Sequence, residues 1–175
     1  MTLDATAPTE LVITVHGEPA GQGRLTFLGV GRGAKHSNEK QLKPWRAAII
    51  TAALEATSGH QFVEWDALSR ACGACGVAQA EHAALVGVPV AADITVTVPK
   101  PKSAPKRRRT WPITRSSTDI DHHARACLDA LSQSGVVYRD DSQVVDLRIR
   151  KVYPGEHTKA LGEPGVVIRI REVKW

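Results

Sequence analysis

Asp119-Ile-Asp-His-His-Ala-Arg-Ala-Cys-Leu-Asp-Ala-Leu131, then Tyr138-Arg-Asp-Asp-Ser142, then Gln143-Val-Val-Asp-Leu-Arg-Ile-Arg-Lys-Val-Tyr153, is the stretch that orders the rest of the chain. Ile120, Ala124, Cys127, Leu128 and Leu131 recur at i, i+4, i+7, i+8 and i+11, which predicts an amphipathic helix over 119–131. Gly135 is placed to end it. Residues 138–142 are polar and predict a turn. Val145, Leu147 and Ile149 alternate in a β-rich run and predict a strand over 143–153.

Outward from that core, Ala92 to Pro99 alternates cleanly and predicts a strand. Leu11 to His16 is β-branched and predicts another, and Arg24 to Val30 a short one before the glycines of 29–33. Trp45, Ala48, Ile49, Ala52 and Ala53 have helical spacing, which predicts a helix from Pro44 to Ala56 with proline in its first turn. Short helices over 65–70 and 77–85 are expected around Cys72-Gly-Ala-Cys75, in a segment, 60–88, that reads as an insertion. Residues 154–165 are turn-rich, and 166–173 form a final strand. The order β, β, α, insertion, β, α, β, β predicts a single α+β domain over 1–175, with a mixed, mostly antiparallel sheet and packed helices.

The composition bounds the function. The chain has 175 residues, 42% apolar and 23% charged, with a formal net charge of +5. That suits one globular domain with a real core. No apolar run approaches the roughly 20 residues of a membrane span, so no membrane partner is expected. Residues 1–10 lack the basic and apolar regions of a signal peptide. Three cysteines cannot form a secreted disulfide framework, so a cytoplasmic setting is the expectation. Cys72 and Cys75 offer half a zinc site, with His60 or His82 as partners, but lack the matched second pair that defines one. Cys127 lies on the apolar helix stripe and belongs to the core.

The positive charge is concentrated. Lys100, Lys102, Lys106, Arg107, Arg108, Arg109 and Arg115 occur in sixteen residues without an acid, and Pro101, Pro105 and Pro112 keep the run out of regular structure. It is either a solvated loop or a phosphate-binding arm. The carboxylates that follow favour the second. Asp119 and Asp121 stand at a helix start, one still extended and one in the first turn, so both can face one point. Asp140 and Asp141 lie in the turn before a strand. Helix capping explains the first pair and turn chemistry the second. A shared Mg²⁺ or Mn²⁺ explains both, since clustered carboxylates repel unless a cation lies between them. Arg125, one turn beyond Asp121, is either its ion-pair partner or a charge over a scissile phosphate. Asp129 is expected to hold Arg125. His122 and His123 are read as solvated.

The ordered set Asp119-Ile-Asp121, Cys127-Leu-Asp-Ala-Leu131, Val137-Tyr-Arg-Asp-Asp-Ser-Gln-Val-Val145 and Lys151 resembles the RusA-type Holliday junction resolvases. Gly17-Glu-Pro19, Gly23-Arg24 and Trp45 are similar to that family's opening. The resemblance implies a homodimeric, Mg²⁺-dependent endonuclease that makes paired nicks in four-way DNA, in recombination and repair, of a kind common in phages and prophages. Metal ligands then map onto Asp119, Asp121 and Asp141, with Asp140 adjacent, and the catalytic basic position onto Arg125. Arg24, Lys100, Lys102, Lys106, Arg107, Arg108, Arg109, Arg115 and Lys151 are the expected DNA contacts. The chain departs from the pattern at His122, where Asn is usual, at Arg125, where Lys is usual, and at Gln22. A DNA-binding protein that has lost nuclease activity would use the same arm and dimer, but has no need of converging aspartates.

Overall fold

The computed structural model describes residues 10–27, 30, 33–57, 62–64, 70–72, 85 and 87–174. Four strands form the main sheet: β1 (Leu11–His16), β6 (Val90–Thr97), β7 (Val144–Val152) and β8 (Gly165–Glu172), in the order β1-β8-β6-β7. β8 runs antiparallel to both β1 and β6, while β6 and β7 are parallel. Ile94 sits opposite Ile149 on one side and Ile168 on the other, at the middle of the sheet. β6 is buried along nearly its whole length because it has a neighbour on each edge, whereas β1 buries only Leu11, Ile13 and Val15. The fold is the α+β architecture expected, with one parallel pair in the sheet.

Two helices cover the core. α1 (Glu39–Ala56) buries Leu42, Trp45, Ile49 and Ala53, and packs on β1 and on α2 (Ile120–Ser134). α2 buries Ala126, Cys127, Ala130 and Leu131. Burial pushes the Cys127 thiol up to about 12, as suits a core side chain. Gly135, at φ 66°, ends α2 in the left-handed conformation, one turn later than the apolar stripe suggests.

α1 begins five residues before Pro44, which therefore lies inside the helix. Its missing N–H leaves the Lys40 carbonyl without its helical partner, a cost softened because both residues are exposed. The strand expected over 24–30 is shorter, β2 (Leu25–Phe27), and pairs with an unforeseen β3 (Ala34–His36). In the 60–88 segment, β4 (Phe62–Glu64) pairs with β5 (Arg70–Cys72). Arg70 is thus in a strand, not at the end of a helix. Most of the two expected helices, with Cys75, His60 and His82 of the zinc reading, lies outside the described residues.

The β6–α2–β7 connection positions the site. A helix linking two parallel strands runs back against them, so α2 starts near the end of β6 and finishes near the start of β7. Two contacts mark this. Lys151, at the end of β7, reaches the Thr118 carbonyl just before α2. Tyr138, just before β7, donates its hydroxyl to the Leu128 carbonyl in the second half of α2 (3.2 Å).

Candidate metal centre and basic loop

Asp119 is the N-cap residue of α2, extended at φ −74° and ψ 148°, but its side chain makes no capping hydrogen bond. The carboxylate remains directed outward. Asp119, Asp121 and His122 offer ligand atoms that all lie within 4.8 Å of one another. His122 Nε2 is 3.9 Å from Asp121 Oδ2. Both aspartates are exposed, and the positive end of α2 favours them there. His122, expected to be solvated, instead completes this group. Two carboxylates and an imidazole suit a divalent cation that accepts oxygen and nitrogen, and the His leans the choice toward Mn²⁺-like ions relative to an all-oxygen set.

The backbone under the acids is constrained. Thr118 has φ 57° and ψ 155°, a region that costs a β-branched residue on the order of 1–3 kcal/mol. Lys151 Nζ holds this kink through the Thr118 carbonyl and through Ser117 Oγ (3.0 Å). Partial burial pulls the Lys151 pKa down from its ordinary value, against the attraction of Asp119. His123, also expected to be solvated, is buried, and its Nε2 lies 3.1 Å from the Ser117 carbonyl. Burial lowers its pKa, which favours the neutral ring.

Sequence reasoning missed Gly21. A Cβ there would lie 2.5 Å from Thr118 Cγ2 and 3.1 Å from His122 Cβ, so only glycine lets the 17–23 loop lie on the start of α2. Gln22 N donates to the His122 carbonyl (2.8 Å), and Asn38 Nδ2 to the Gly21 carbonyl (2.7 Å). The signal was the glycine-rich Gly17-Glu-Pro-Ala-Gly-Gln-Gly23, readable as a loop but not as a close approach.

Asp140 and Asp141 are elsewhere. Asp140 Oδ1 accepts from Ser142 N (2.9 Å), which caps the short 3₁₀ turn before β7 and lowers the Asp140 pKa. This is turn chemistry. Gln143 Nε2 donates to the carbonyls of Leu85 and Val88, at 2.7 and 3.0 Å, and anchors the same turn. Asp141 is exposed. α2 is 15 residues long, about 22 Å at 1.5 Å per residue, and the two acidic pairs lie toward its opposite ends. Within one chain Asp141 is thus on the order of 20 Å from the Asp119 group. Asp129 does not hold Arg125 as expected: it pairs with Arg46 of α1, which also donates to Gln22 Oε1 (3.1 Å). Arg125 is exposed and, among the described residues, has no ion-pair partner.

The basic run is a closed loop. Glu156 accepts from Lys100 Nζ and from Thr110 N (2.9 Å), tying both ends of residues 100–110 to one carboxylate. These bonds hold its pKa below the usual carboxylate value. Lys100 also donates to the Pro105 carbonyl (2.6 Å). Lys100 and Lys151, both assigned to DNA, therefore spend their ammonium groups on the protein. Lys102, Lys106, Arg107, Arg108, Arg109 and Arg115 are exposed, as is Arg24.

The acids at the start of α2 could hold a divalent cation, and the exposed cations of the loop before it could hold a polyanion, the two parts a metal-dependent nuclease needs. Residues 71–171 match the family model of endodeoxyribonuclease RusA, and the chain belongs to that family. The match begins inside the 60–88 segment and leaves the Gly17–Arg24 opening and Trp45 outside it. The chain is also similar to the uncharacterized protein YqaN of Bacillus subtilis (strain 168), at 29% identity over 167 residues, covering 91% of this chain and 94% of that one. Among the described residues no helix is long and apolar enough to cross a membrane.

Proposed function

We propose that the chain is a divalent-metal-dependent endonuclease that resolves four-way DNA junctions as a homodimer, in recombination and repair. Each active site is built from Asp119, Asp121 and His122 of one chain and Asp141 of the partner subunit. The observation that carries this reading is the outward-facing Asp119–Asp121–His122 group, in a member of the RusA family, with the remaining acid of the motif at the far end of α2. β7 supplies a route for the second chain. It is the outer strand of the sheet and exposes Val145 (63%) and Leu147 (41%). Antiparallel pairing of two β7 edges about a two-fold axis at Leu147 sets position 141 of one strand opposite position 153 of the other. That is the end of β7 where Lys151 reaches Thr118.

A divalent cation held by these carboxylates would supply charge against the developing negative charge on the phosphodiester and lower the pKa of an attacking water. The chain's own residues do the rest. Lys151 and His123 fix the strained turn that presents Asp119. Arg125 extends from the next turn of α2 toward the scissile phosphate, as a fixed cation with fork geometry and not a base. The exposed cations of the 100–115 loop hold the flanking phosphates. Two sites related by a two-fold axis suit paired nicks in a symmetric junction.

The test is cleavage of a synthetic four-way junction and of matched duplex, with Mg²⁺, Mn²⁺ or EDTA. Metal-dependent paired nicking of the junction supports the reading. Tight junction binding without cleavage under any metal condition supports the nuclease-dead binder instead.

A further inference from the structure

Trp111 is 62% exposed on the basic loop, two residues after Arg109. Its indole is tilted 54° to the His157 imidazole, with centroids 6.1 Å apart. Beside them opens a pocket of about 310 Å³, lined also by Arg109, Tyr153 and Glu156. Its rim is preformed, because Glu156 fixes the loop at Thr110 and Lys100, and Lys100 Nζ sits 5.8 Å above the Tyr153 ring. The pocket is also tied to the acidic group. The Pro112 carbonyl, next to Trp111, accepts from Ser117 Oγ (2.8 Å), and Ser117 lies two residues before Asp119.

An exposed aromatic ring with Arg109 beside it in the pocket, and Arg107 and Arg108 just before it in the chain, fits one kind of ligand surface well: a flat π-face carried on a phosphate chain. A nucleobase is such a face, and stacking on an aromatic side chain tolerates any base. In continuous duplex a base must leave its stack first; where a branch interrupts the stack that cost is lower. We propose that Trp111 and His157 form a stacking site for one unstacked nucleobase at the branch of the DNA, with Arg107, Arg108 and Arg109 on the flanking phosphates. The site selects branch over duplex, without reading sequence. It rests on the reading of the substrate as branched DNA.

The experiment measures binding of four-way junction and matched duplex by gel shift in EDTA, over a range of salt, for wild type, Trp111→Ala, Trp111→Phe and His157→Ala. Thermal melting checks that each variant is folded, and Trp111→Phe, the gentler change, keeps the test open if Trp111→Ala is not. The expected result is a loss of junction affinity of about tenfold or more in Trp111→Ala, the size of one base–aromatic stack. Duplex affinity and the salt slope should stay near wild type, since every cation that meets a phosphate is still in place. Trp111→Phe should keep most of the junction preference, and His157→Ala should lose part of it. Wild-type junction preference in Trp111→Ala overturns the stacking site, and so does an equal loss on junction and duplex. A wild-type protein that does not prefer junction to duplex is a different result: it brings down the branched-DNA reading itself.

Discussion

The two ends of α2 both carry a pair of acids, and the pairs are built differently. At the start, Asp119 occupies a capping position without capping, on a strained backbone braced by Lys151 and His123 and overlaid by Gly21. At the far end, Asp140 is consumed by its own turn and Asp141 is left exposed. Acids that only shape a chain are satisfied locally. Acids left unsatisfied over a braced backbone are available for a ligand. By that criterion Asp119 and Asp121 are the candidates for a metal centre, Asp140 serves its own turn, and Asp141 enters only through the composite site proposed above.

Substitution with Asn, which keeps shape and removes charge, separates these roles most sharply. Asp119→Asn and Asp121→Asn should lower metal-dependent junction cleavage by several orders of magnitude. Junction affinity in EDTA should hold or rise, because a carboxylate near phosphates is repulsive. Asp140→Asn should cut near the wild-type rate, as Asn caps such a turn equally well. Comparable losses at Asp119 and Asp140 would erase the distinction between the two ends.

Next in size is the effect of the loop that feeds the acidic end. Replacing Arg107, Arg108 and Arg109 together with Gln should weaken DNA binding and flatten its salt dependence, by about 0.9 in log–log slope for each phosphate no longer neutralised. An unchanged slope would show that the loop faces away from DNA. Gly21→Ala should act at the acidic end alone. The clash with Thr118 and His122 is expected to cost about 1–3 kcal/mol of stability in denaturant melts and to lower cleavage more than binding.

The smallest expected effect concerns the order of the loop. Glu156 has a folded pKa below its ordinary value of 4.5, so its bonds to Lys100 and Thr110 favour the closed loop above that pH. That contribution falls away as pH drops through the depressed value. The Thr110 amide resonance should titrate with an apparent pKa below 4.5, and Glu156→Gln should abolish that titration. A midpoint above the ordinary value would contradict the tether.

Much of this was legible in the sequence. α2, β6, β7 and β8 were readable because each has a regular apolar period and clear stop residues, Gly135 among them. The start of α1 was not, because Pro44 resembles a first-turn proline, and propensity cannot register that a missing bond is tolerated at an exposed position. β3 has three residues, too few for a period. The acids stand out by their spacing at a helix start. Their separation does not, because it follows from the parallel pairing of β6 and β7, which is a property of sheet order. The partners of Asp129, Lys100 and Lys151 come from distant segments, Arg46, Glu156 and Thr118, so the nearby i, i+4 partner or the DNA surface was the visible reading.

The central claim, that each active site takes its acids from two chains, is tested most directly by mixing two inactive variants. One chain carries Asp119→Asn and Asp121→Asn with Asp141 intact; the other carries Asp141→Asn with Asp119 and Asp121 intact. A mixed dimer with sites across the two-fold has one complete site, so co-refolded protein should recover metal-dependent nicking of one junction strand while each variant alone stays inactive. If the mixture is as inactive as its parts although light scattering and exchange of a tagged chain show mixed dimers, the acids act within one chain or Asp141 acts elsewhere, and the composite site is wrong.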